Sequence, residues 1–249
     1  MKIAIIGYGK MGRMIEEIAR SRGHEIVSVI DVGNLSDMQG EAFRSADVAI
    51  EFTTPSAAPD NIIEALRQGV RVVSGSTGWA SRMDEVNGEC RRLDGTMLWS
   101  SNFSLGVNIF FAVNRFVARI MERFDAYRPT LTEVHHVHKA DHPSGTAVTL
   151  ADDIVAECPR TGPWREDVPA PDGTLIVNHV RRAETPGRHV VDWDSEADTI
   201  TIAHNANSRR GFALGAVIAA EWLSTRRGFH TMDDMMQGVF GLPEHESGN

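Results

Sequence analysis

The strongest constraint on the fold is a glycine-rich turn between a short apolar run and a helical pattern. The turn has the spacing G-x-G-x-x-G and consists of Gly7, Tyr8, Gly9, Lys10, Met11 and Gly12. Residues 2–6 predict a buried strand and residues 11–22 a helix. In such a turn the first glycine makes the bend, the second lets a pyrophosphate approach the backbone, and the third lets helix and strand pack closely. The pattern predicts a dinucleotide site at the start of the first helix.

An acidic residue at the end of the second predicted strand supports this interpretation. Asp31 follows the apolar residues 25–30, at the distance from Gly12 where a carboxylate binds the adenosine ribose hydroxyls. Its negative charge repels a 2′-phosphate, and the three residues that follow it supply no arginine. The sequence therefore favours NADH, although Lys10 could attract the phosphate and allow NADPH to be accepted as well.

The first hundred residues alternate between strand and helix patterns. Further strands are predicted at residues 48–52, 70–74 and 97–100, with helices at residues 57–68 and 81–93. This alternation predicts a Rossmann-type, doubly wound parallel sheet, because parallel crossovers need an intervening helix.

The pattern changes in the second part of the chain. Helices are predicted at residues 107–124 and 146–156 and a strand at residues 131–137, and three strands follow without a helix between them, at residues 174–181, 189–193 and 199–204. We expect an α+β domain on a mostly antiparallel sheet. Residues 1–104 are then the dinucleotide-binding domain, completed by C-terminal helices within residues 208–249, and residues 105–207 are the substrate-binding domain.

Composition excludes several classes of function. The chain of 249 residues has 25 Lys and Arg against 34 Asp and Glu, a formal net charge of −9, which argues against a nucleic-acid partner. Cys90 and Cys158 form neither a metal-ligand spacing nor a disulfide framework, as in proteins of the reducing cytosol. No run approaches the roughly 20 apolar residues of a membrane helix. We expect a cytoplasmic enzyme or binding protein without a membrane partner.

Two loops at the predicted carboxyl ends of strands could complete the nucleotide site, since open α/β sheets bind ligands there. They are rich in small hydroxyl residues, with one amide that could bind a carboxamide and one ring that could flank a nicotinamide. Ordinary loop chemistry would explain any one of them taken singly. The residues are Gly75, Ser76, Thr77, Ser100, Ser101, Asn102 and Phe103.

The most informative stretch is residues 133–147. If the strand extends to residue 137, His136 and His138 share one face and His135 takes the other. Ser144 or Thr146 can cap the helix that follows, and the free N–H groups of Gly145 and Thr146 point at whatever precedes it. Together with Lys139 and His136, that helix end supplies positive potential in an otherwise acidic protein. These residues predict a site for an anionic substrate, with a histidine as proton donor.

Two other interpretations of the histidines remain open. A metal site would use His136, His138 and His142, with or without Asp141, but no matching ligands recur elsewhere in the sequence. A solvated strand end would need no function at all. The sequence favours the anion site, and we expect no metal.

At this stretch the chain resembles the bacterial dihydrodipicolinate reductase family, also called 4-hydroxy-tetrahydrodipicolinate reductases. Residues 133–147 are similar to its signature E-x-H-H-x-x-K-x-D-A-P-S-G-T-A and depart from it at His142, where the signature has alanine. Residues 51–53, 75–78, 101–108 and 208–216 resemble other segments of the family. The glycine turn is one residue shorter than the common family form, with Lys10 where arginine is usual.

The resemblance implies a specific activity. It is the NAD(P)H-dependent reduction of dihydrodipicolinate (4-hydroxy-tetrahydrodipicolinate) to tetrahydrodipicolinate in the diaminopimelate and lysine pathway. His135 would be the proton donor and acceptor and Lys139 a second proton donor. His136, with Ser144, Gly145 and Thr146, would bind the substrate carboxylate. The glycine turn, Asp31 and the two loops named above would hold the dinucleotide. The family assembles as a homotetramer through the sheets of its second domain.

Two alternatives remain open, one an enzyme and one not. Another Rossmann-fold amino-acid or semialdehyde dehydrogenase would share the glycine turn but would not need the Ser-Gly-Thr helix start after the histidines. A dinucleotide-sensing module would bind NADH and consume none.

Overall fold

The computed structural model describes residues 1–166 and 174–240, and it divides the chain into two compact units. The first consists of Met1–Leu105 together with the described residues from Arg210 onward, and the second of Gly106–Arg209. Part of the predicted C-terminal completion, residues 241–249, lies outside the described residues. None of the helices formed by the described residues is long and apolar enough to cross a membrane.

The first unit is built on a six-stranded parallel sheet in the order β11-β5-β4-β3-β1-β2. Its strands are β1 (Lys2–Ile6), β2 (Glu25–Ile30), β3 (Val48–Glu51), β4 (Arg71–Ser74), β5 (Thr96–Trp99) and β11 (Gly228–Thr231). Its helices are α1 (Lys10–Ser21), α2 (Glu41–Arg44), α3 (Ala58–Arg67), α4 (Met83–Arg92), α7 (Arg210–Leu223) and α8 (Met232–Phe240).

Helices cover both faces of this sheet. One core cluster joins Ile5 of β1 to Ile15 of α1 and Ala216 of α7. The other joins Ala49 of β3 to Ile62 of α3, together with Val86 of α4. The central strands β1 and β3 are almost continuously apolar, as is typical of strands with both faces buried. The predicted doubly wound parallel sheet is confirmed. Strand β11 was not predicted, because the four residues Gly-Phe-His-Thr carry no strand periodicity.

The second unit is built on a five-stranded sheet in the order β10-β9-β6-β8-β7. Its elements are α5 (Leu105–Met121), β6 (Arg128–His135), α6 (Gly145–Glu157), β7 (Trp164–Glu166), β8 (Leu175–Arg181), β9 (Arg188–Asp194) and β10 (Thr199–Asn205). Strand β9 pairs antiparallel with β10 and β6, whereas β8 pairs parallel with β6 and β7. The second α+β unit is thus confirmed, with a mixed sheet: α6 carries the chain back, which lets β8 run parallel to β6.

Several predicted element boundaries differ from the structure by one to three residues. Strand β6 ends at His135, two residues earlier than predicted, so His136 and His138 lie in the following loop and do not share a strand face. The valine between them suggested a continuing alternation, but Val137 is exposed. Helix α5 begins at Leu105 and ends at Met121, earlier at both ends than residues 107–124.

Candidate active site

The glycine turn has the close packing that its spacing predicts. Gly7 has a φ of +92°, and a Cβ there would lie 2.2 Å from the carbonyl oxygen of Phe52. A Cβ on Gly12 would lie 2.1 Å from the carbonyl oxygen of Gly7. Around Gly9, in contrast, nothing lies within 4 Å of the Cβ position. The first and third glycines are therefore required by the fold, while the second leaves open space above the backbone.

That open space adjoins the N-terminus of α1. Gly9 is the N-cap, no side chain caps the helix, and its first turn holds no acidic residue. The first N–H groups of a helix have no partner within the helix and favour an anion. A cavity of about 320 Å³ adjoins them, lined by Gly9, Lys10, Met11, Phe52, Thr53, Pro55, Gly75, Ser76 and Thr77. The residues present fit the pyrophosphate of a pyridine nucleotide.

Asp31 lies directly after β2 and is exposed. Its backbone N–H donates to Asn34 Oδ1 at 2.8 Å, and its Oδ1 accepts the N–H of Val32 at 2.9 Å. Asn34 also donates to the carbonyl oxygen of Val29 at 3.0 Å, which fixes the turn against the strand. The carboxylate is therefore presented to solvent from an ordered turn, beyond the carboxyl end of the strand.

The loop after β4 is anchored by a buried carboxylate. Glu51, at the end of β3, is fully buried and accepts hydrogen bonds from Ser74, Ser76 and both the N–H and the hydroxyl of Thr53. The indole N–H groups of Trp79 and Trp99 both donate to the carbonyl oxygen of Ser76, at 2.8 and 3.0 Å. The predicted residues Gly75, Ser76 and Thr77 thus belong to a rigid wall of the cavity.

The loop after β5 is shaped by its own side chains. Ser100 Oγ accepts the N–H of Asn102 at 3.0 Å, and Asn102 Oδ1 accepts the N–H of Ser104 at 2.9 Å. Ser101 is exposed, whereas Phe103 is only 2% exposed and lies 6.0 Å from the ring of Phe52. The Phe103 ring is therefore part of the core, because this loop turns inward to meet α7, and the ring is not free to flank a nicotinamide.

In the second unit the histidine stretch is organised around Glu133. Strand pairing places Glu133 opposite His189 of β9 and places His135 opposite Arg181 of β8. Glu133 is fully buried, and its Oε2 lies 3.5 Å from His135 Nδ1 and 3.8 Å from His189 Nε2. The same oxygen accepts the N–H of Ser144 at 3.0 Å, and Oε1 accepts from Arg181 at 3.2 Å. One carboxylate thus connects the strand that carries His135 to the start of α6.

The charges of this cluster follow from its burial and its partners. Burial acts to raise the pKa of Glu133, but hydrogen bonds from Ser144, the charge on His135 and the Arg181 guanidinium outweigh it and lower that pKa. Burial lowers the pKa of His135, against the opposing effect of Glu133. It also lowers the pKa of His189 to about 4. These directions favour the ionised form of Glu133 and the uncharged forms of His135 and His189.

Lys139 lies in the loop between β6 and α6 and forms an ion pair. Its Nζ is 2.7 and 2.8 Å from the two carboxylate oxygens of Asp141. The ammonium holds the pKa of Asp141 below its usual range through this hydrogen bond. Arg181 donates to the carbonyl oxygen of Asp141 at 2.7 Å and to that of Lys139 at 3.3 Å. Arg181, which donates to Glu133, therefore also holds the loop that carries Lys139.

The predicted helix start is present at the end of this loop. Ser144 is the N-cap of α6, and its Oγ accepts the N–H of Ala147 at 3.2 Å. Its own N–H is taken by Glu133, which leaves the first-turn N–H groups of Gly145 and Thr146 to bind a carboxylate. Around Gly145 nothing lies within 4 Å of the Cβ position. His136 follows β6 directly, half-buried, with its ring centroid 6.2 Å from that of His138.

Sequence reasoning missed several residues of this site. Glu133 lies two residues before His135 on β6, and that spacing on a strand was the available signal. His189 and Arg181 reach the site through long-range strand pairing, and neither carries a local motif. Gly187 packs against the catalytic candidate: a Cβ there would lie 3.1 Å from His135 Nε2.

The first unit has a Rossmann-type nucleotide turn, and the second has a buried His-Glu site beside a helix start. This combination is typical of oxidoreductases that use a pyridine nucleotide. The family profile of the dihydrodipicolinate reductase N-terminus matches residues 1–103, and that of its C-terminus matches residues 106–236. The chain belongs to the dihydrodipicolinate reductase family.

Individual relatives agree with this assignment. The 4-hydroxy-tetrahydrodipicolinate reductase of Christiangramia forsetii is 40% identical over 242 residues, which cover 96% of this chain and 99% of the relative. The enzyme of the same name from Archaeoglobus fulgidus is 34% identical over 263 residues, which cover 95% of this chain and 100% of the relative. Among solved structures, the dipicolinate-bound dihydrodipicolinate reductase from Paenisporosarcina sp. TG-14 shares the fold, with a TM-score of 0.76 at 19% identity over 93% of this chain and 97% of that one.

Proposed function

We propose that the protein converts 4-hydroxy-tetrahydrodipicolinate to tetrahydrodipicolinate in the diaminopimelate and lysine pathway. The hydroxyl group leaves as water, and the ring takes up a hydride from a reduced pyridine nucleotide and a proton. The single observation that carries the proposal is the Glu133-His135 pair beside the N-terminus of α6, in a chain that is 40% identical to a reductase of that name. This arrangement offers a proton donor next to an anion site, which is what reduction of a dicarboxylate imine requires.

The chain's own residues would bind and protonate the substrate. A carboxylate at the N-terminus of α6 would accept from Gly145 and Thr146, with His136 nearby. Glu133 Oε2 lies 3.5 Å from His135 Nδ1, so its negative charge favours a proton on Nδ1 and would leave Nε2 to exchange a proton with the substrate. The absence of a side chain at Gly187 keeps that nitrogen accessible. A dianionic substrate would raise the pKa of His135 and so favour its protonated, donating form.

Lys139 would act as the second proton donor and as a charge partner of the substrate. Its ion pair with Asp141 keeps the ammonium positioned in the loop, and a substrate carboxylate would compete with Asp141 for it. The bound nucleotide supplies the hydride. Protein groups then orient the ring, balance its negative charge and deliver the proton that completes the reduction.

We propose NADH as the preferred coenzyme, with NADPH accepted as well. The exposed Asp31 carboxylate after β2 is suited to ribose hydroxyls and unfavourable for a 2′-phosphate, while Lys10 at the first position of α1 offers some compensation. We also propose that four chains assemble through the second unit's sheet. We place the enzyme in the cytoplasm, which is consistent with two free, buried cysteines.

A coupled assay tests the reaction. The preceding synthase generates the substrate, and loss of reduced-coenzyme absorbance is followed with NADH and with NADPH. We expect turnover on this substrate and none on aspartate semialdehyde or other aldehydes. Turnover on an aldehyde alone would favour a semialdehyde dehydrogenase, and NADH binding without turnover on any substrate would indicate a sensing module.

A further inference from the structure

Three side chains of metal-ligating types converge in the second unit, next to the Glu133 cluster, since strand pairing places His179 opposite Glu133. His142 Nδ1 lies 3.1 Å from Glu166 Oε1, and His179 Nδ1 lies 3.8 Å from the same oxygen. The rings of His142 and His179 stack with their centroids 4.5 Å apart and an interplanar angle of 15°. One potential ligand atom from each residue lies within 4.8 Å of the other two.

The sheet register explains this convergence. Glu166 of β7 pairs with Val177 of β8, so His179, two residues further along β8, points to the same face as Glu166. His142 comes from the loop before α6 and lies over that face. The sequence grouped His142 with His136 and His138, and the structure corrects this: His138 lies beside Glu184 instead, at 3.6 Å. His142 is also the position at which the chain departs from the family signature.

We propose that His142, Glu166 and His179 bind a divalent first-row transition metal, of which Zn²⁺ is the best match. Two imidazoles and one carboxylate form a donor set typical of zinc, with water completing the coordination. The side chains of His142, Glu166 and His179 are 53%, 26% and 24% exposed, so a metal ion can reach them from solvent. The proposal concerns metal binding and does not depend on the reductase activity.

A second trio, Glu133, His135 and His189, also has ligand atoms within 4.8 Å of one another. It is unsuited to a cation because Arg181 donates to Glu133 at 3.2 Å and places a positive charge in the cluster. Glu133 Oε2 is also occupied by the N–H of Ser144. The His142 cluster is the better candidate, because the guanidinium of Arg181 is directed to Glu133 and to the carbonyl oxygens of Lys139 and Asp141.

Metal binding at this position would have a structural consequence. His142 lies between Asp141, the partner of Lys139, and the residues that start α6. A metal bound to His142, Glu166 and His179 would tie that loop to β7 and β8. It would restrict the segment that carries Lys139 and would stabilise the second unit by mass action.

The test is a titration of the full-length protein with ZnCl₂ by isothermal calorimetry, after EDTA treatment and dialysis and without substrate or coenzyme. We expect one zinc per chain and a rise in melting temperature. His142→Ala and Glu166→Gln should each weaken binding by about tenfold or more. Titration with Co²⁺ should give visible absorption bands of a nitrogen-ligated ion, lost in His142→Ala.

The matched control is His138→Ala, which removes an exposed histidine of the same loop that also lies beside a glutamate. It should bind zinc as the wild type does. Circular dichroism and the melting temperature in EDTA verify that each variant is folded. The proposal is overturned if the wild type shows no saturable binding, if His142→Ala binds zinc equally well, or if His138→Ala weakens binding as much as His142→Ala.

Discussion

Glu133 shows how one residue can determine the chemistry of another. Its negative charge raises the pKa of His135, while burial lowers it, and the balance leaves that pKa below its usual value. The carboxylate stays ionised because Ser144 and Arg181 donate to it. Glu133 touches no reacting atom in this arrangement. It is a positioning residue that acts through His135.

We predict that Glu133→Gln shifts the pH profile of kcat/KM. The glutamine keeps an acceptor for the Ser144 N–H but loses the charge that raises the pKa of His135, so that pKa falls further. The protonated donor is then lost at a lower pH, the basic limb moves to lower pH, and kcat/KM at pH 7 falls by roughly tenfold or more. Glu184→Gln, which removes an exposed carboxylate beside His138, serves as a control with no expected shift. If the basic limb of the kcat/KM profile of Glu133→Gln lay at the wild-type pH, Glu133 would have no electrostatic effect on His135.

Asp31 is the residue on which coenzyme choice depends. We predict that Asp31→Ala lowers the preference for NADH over NADPH, expressed as a ratio of kcat/KM values, by about tenfold or more. The variant loses a ribose ligand and a charge that repels the 2′-phosphate. The ratio of kcat/KM for NADH to that for NADPH measures it. Asp37→Ala is the control, because Asp37 accepts from Asn34 in the same turn but lies away from the end of β2. An unchanged ratio in Asp31→Ala would contradict the ribose assignment.

At the scale of elements, local sequence patterns predict most strands and helices of the first unit but miss the shortest strands. The strands β1 to β5 are apolar runs with helices between them, so periodicity alone defines them. Strands β7 and β11 have three and four residues, too few to show a period, and β11 pairs with β5 from a distant part of the sequence. The end of β6 was extended too far because Val137 continued the alternation. The cap at Ser144 was predictable, since capping is local.

The glycine turn gives a prediction that separates binding from folding. We predict that Gly9→Ala leaves the melting temperature near the wild-type value but weakens NADH binding by about tenfold or more, because the added methyl group enters space that the coenzyme needs. Gly12→Ala should lower the free energy of unfolding by about 3 kcal/mol or more, because its Cβ would lie 2.1 Å from the Gly7 carbonyl oxygen.

Thermal denaturation and NADH fluorescence titration measure the two effects on the same samples. Gly23→Ala in the loop after α1 adds a useful comparison, since its Cβ would meet nothing within 4 Å but its φ of +82° is unfavourable for alanine. It should lose stability without losing coenzyme affinity. Equal NADH affinity in Gly9→Ala and the wild type would remove the glycine turn from the binding site.

At the scale of the whole molecule, the sheet of the second unit has two different faces. Leu131, Val177 and Val191 point to the face that α5 and α6 cover and are fully buried. The alternate residues, among them Thr132, Asn178 and Val190, remain partly accessible. An antiparallel or mixed sheet can leave one face to solvent. Thr132, Asn178 and Val190 are uncharged, however, which is typical of the core of an interface between chains. The fold thus supports the proposed assembly through this sheet.

We predict that Val190→Lys dissociates the assembly. Val190 pairs with Thr132 on one side and Ala203 on the other, so a lysine there would place a charge in the middle of the uncovered face of every chain. The monomer should remain folded, because the position is already accessible, whereas an interface would have to bury unpaired ammonium groups. Light scattering coupled to gel filtration should give four chains for the wild type and fewer for the variant. The control is Phe116→Lys on the exposed side of α5, which should retain four chains. A mass of four chains for Val190→Lys would show that the interface lies on another surface.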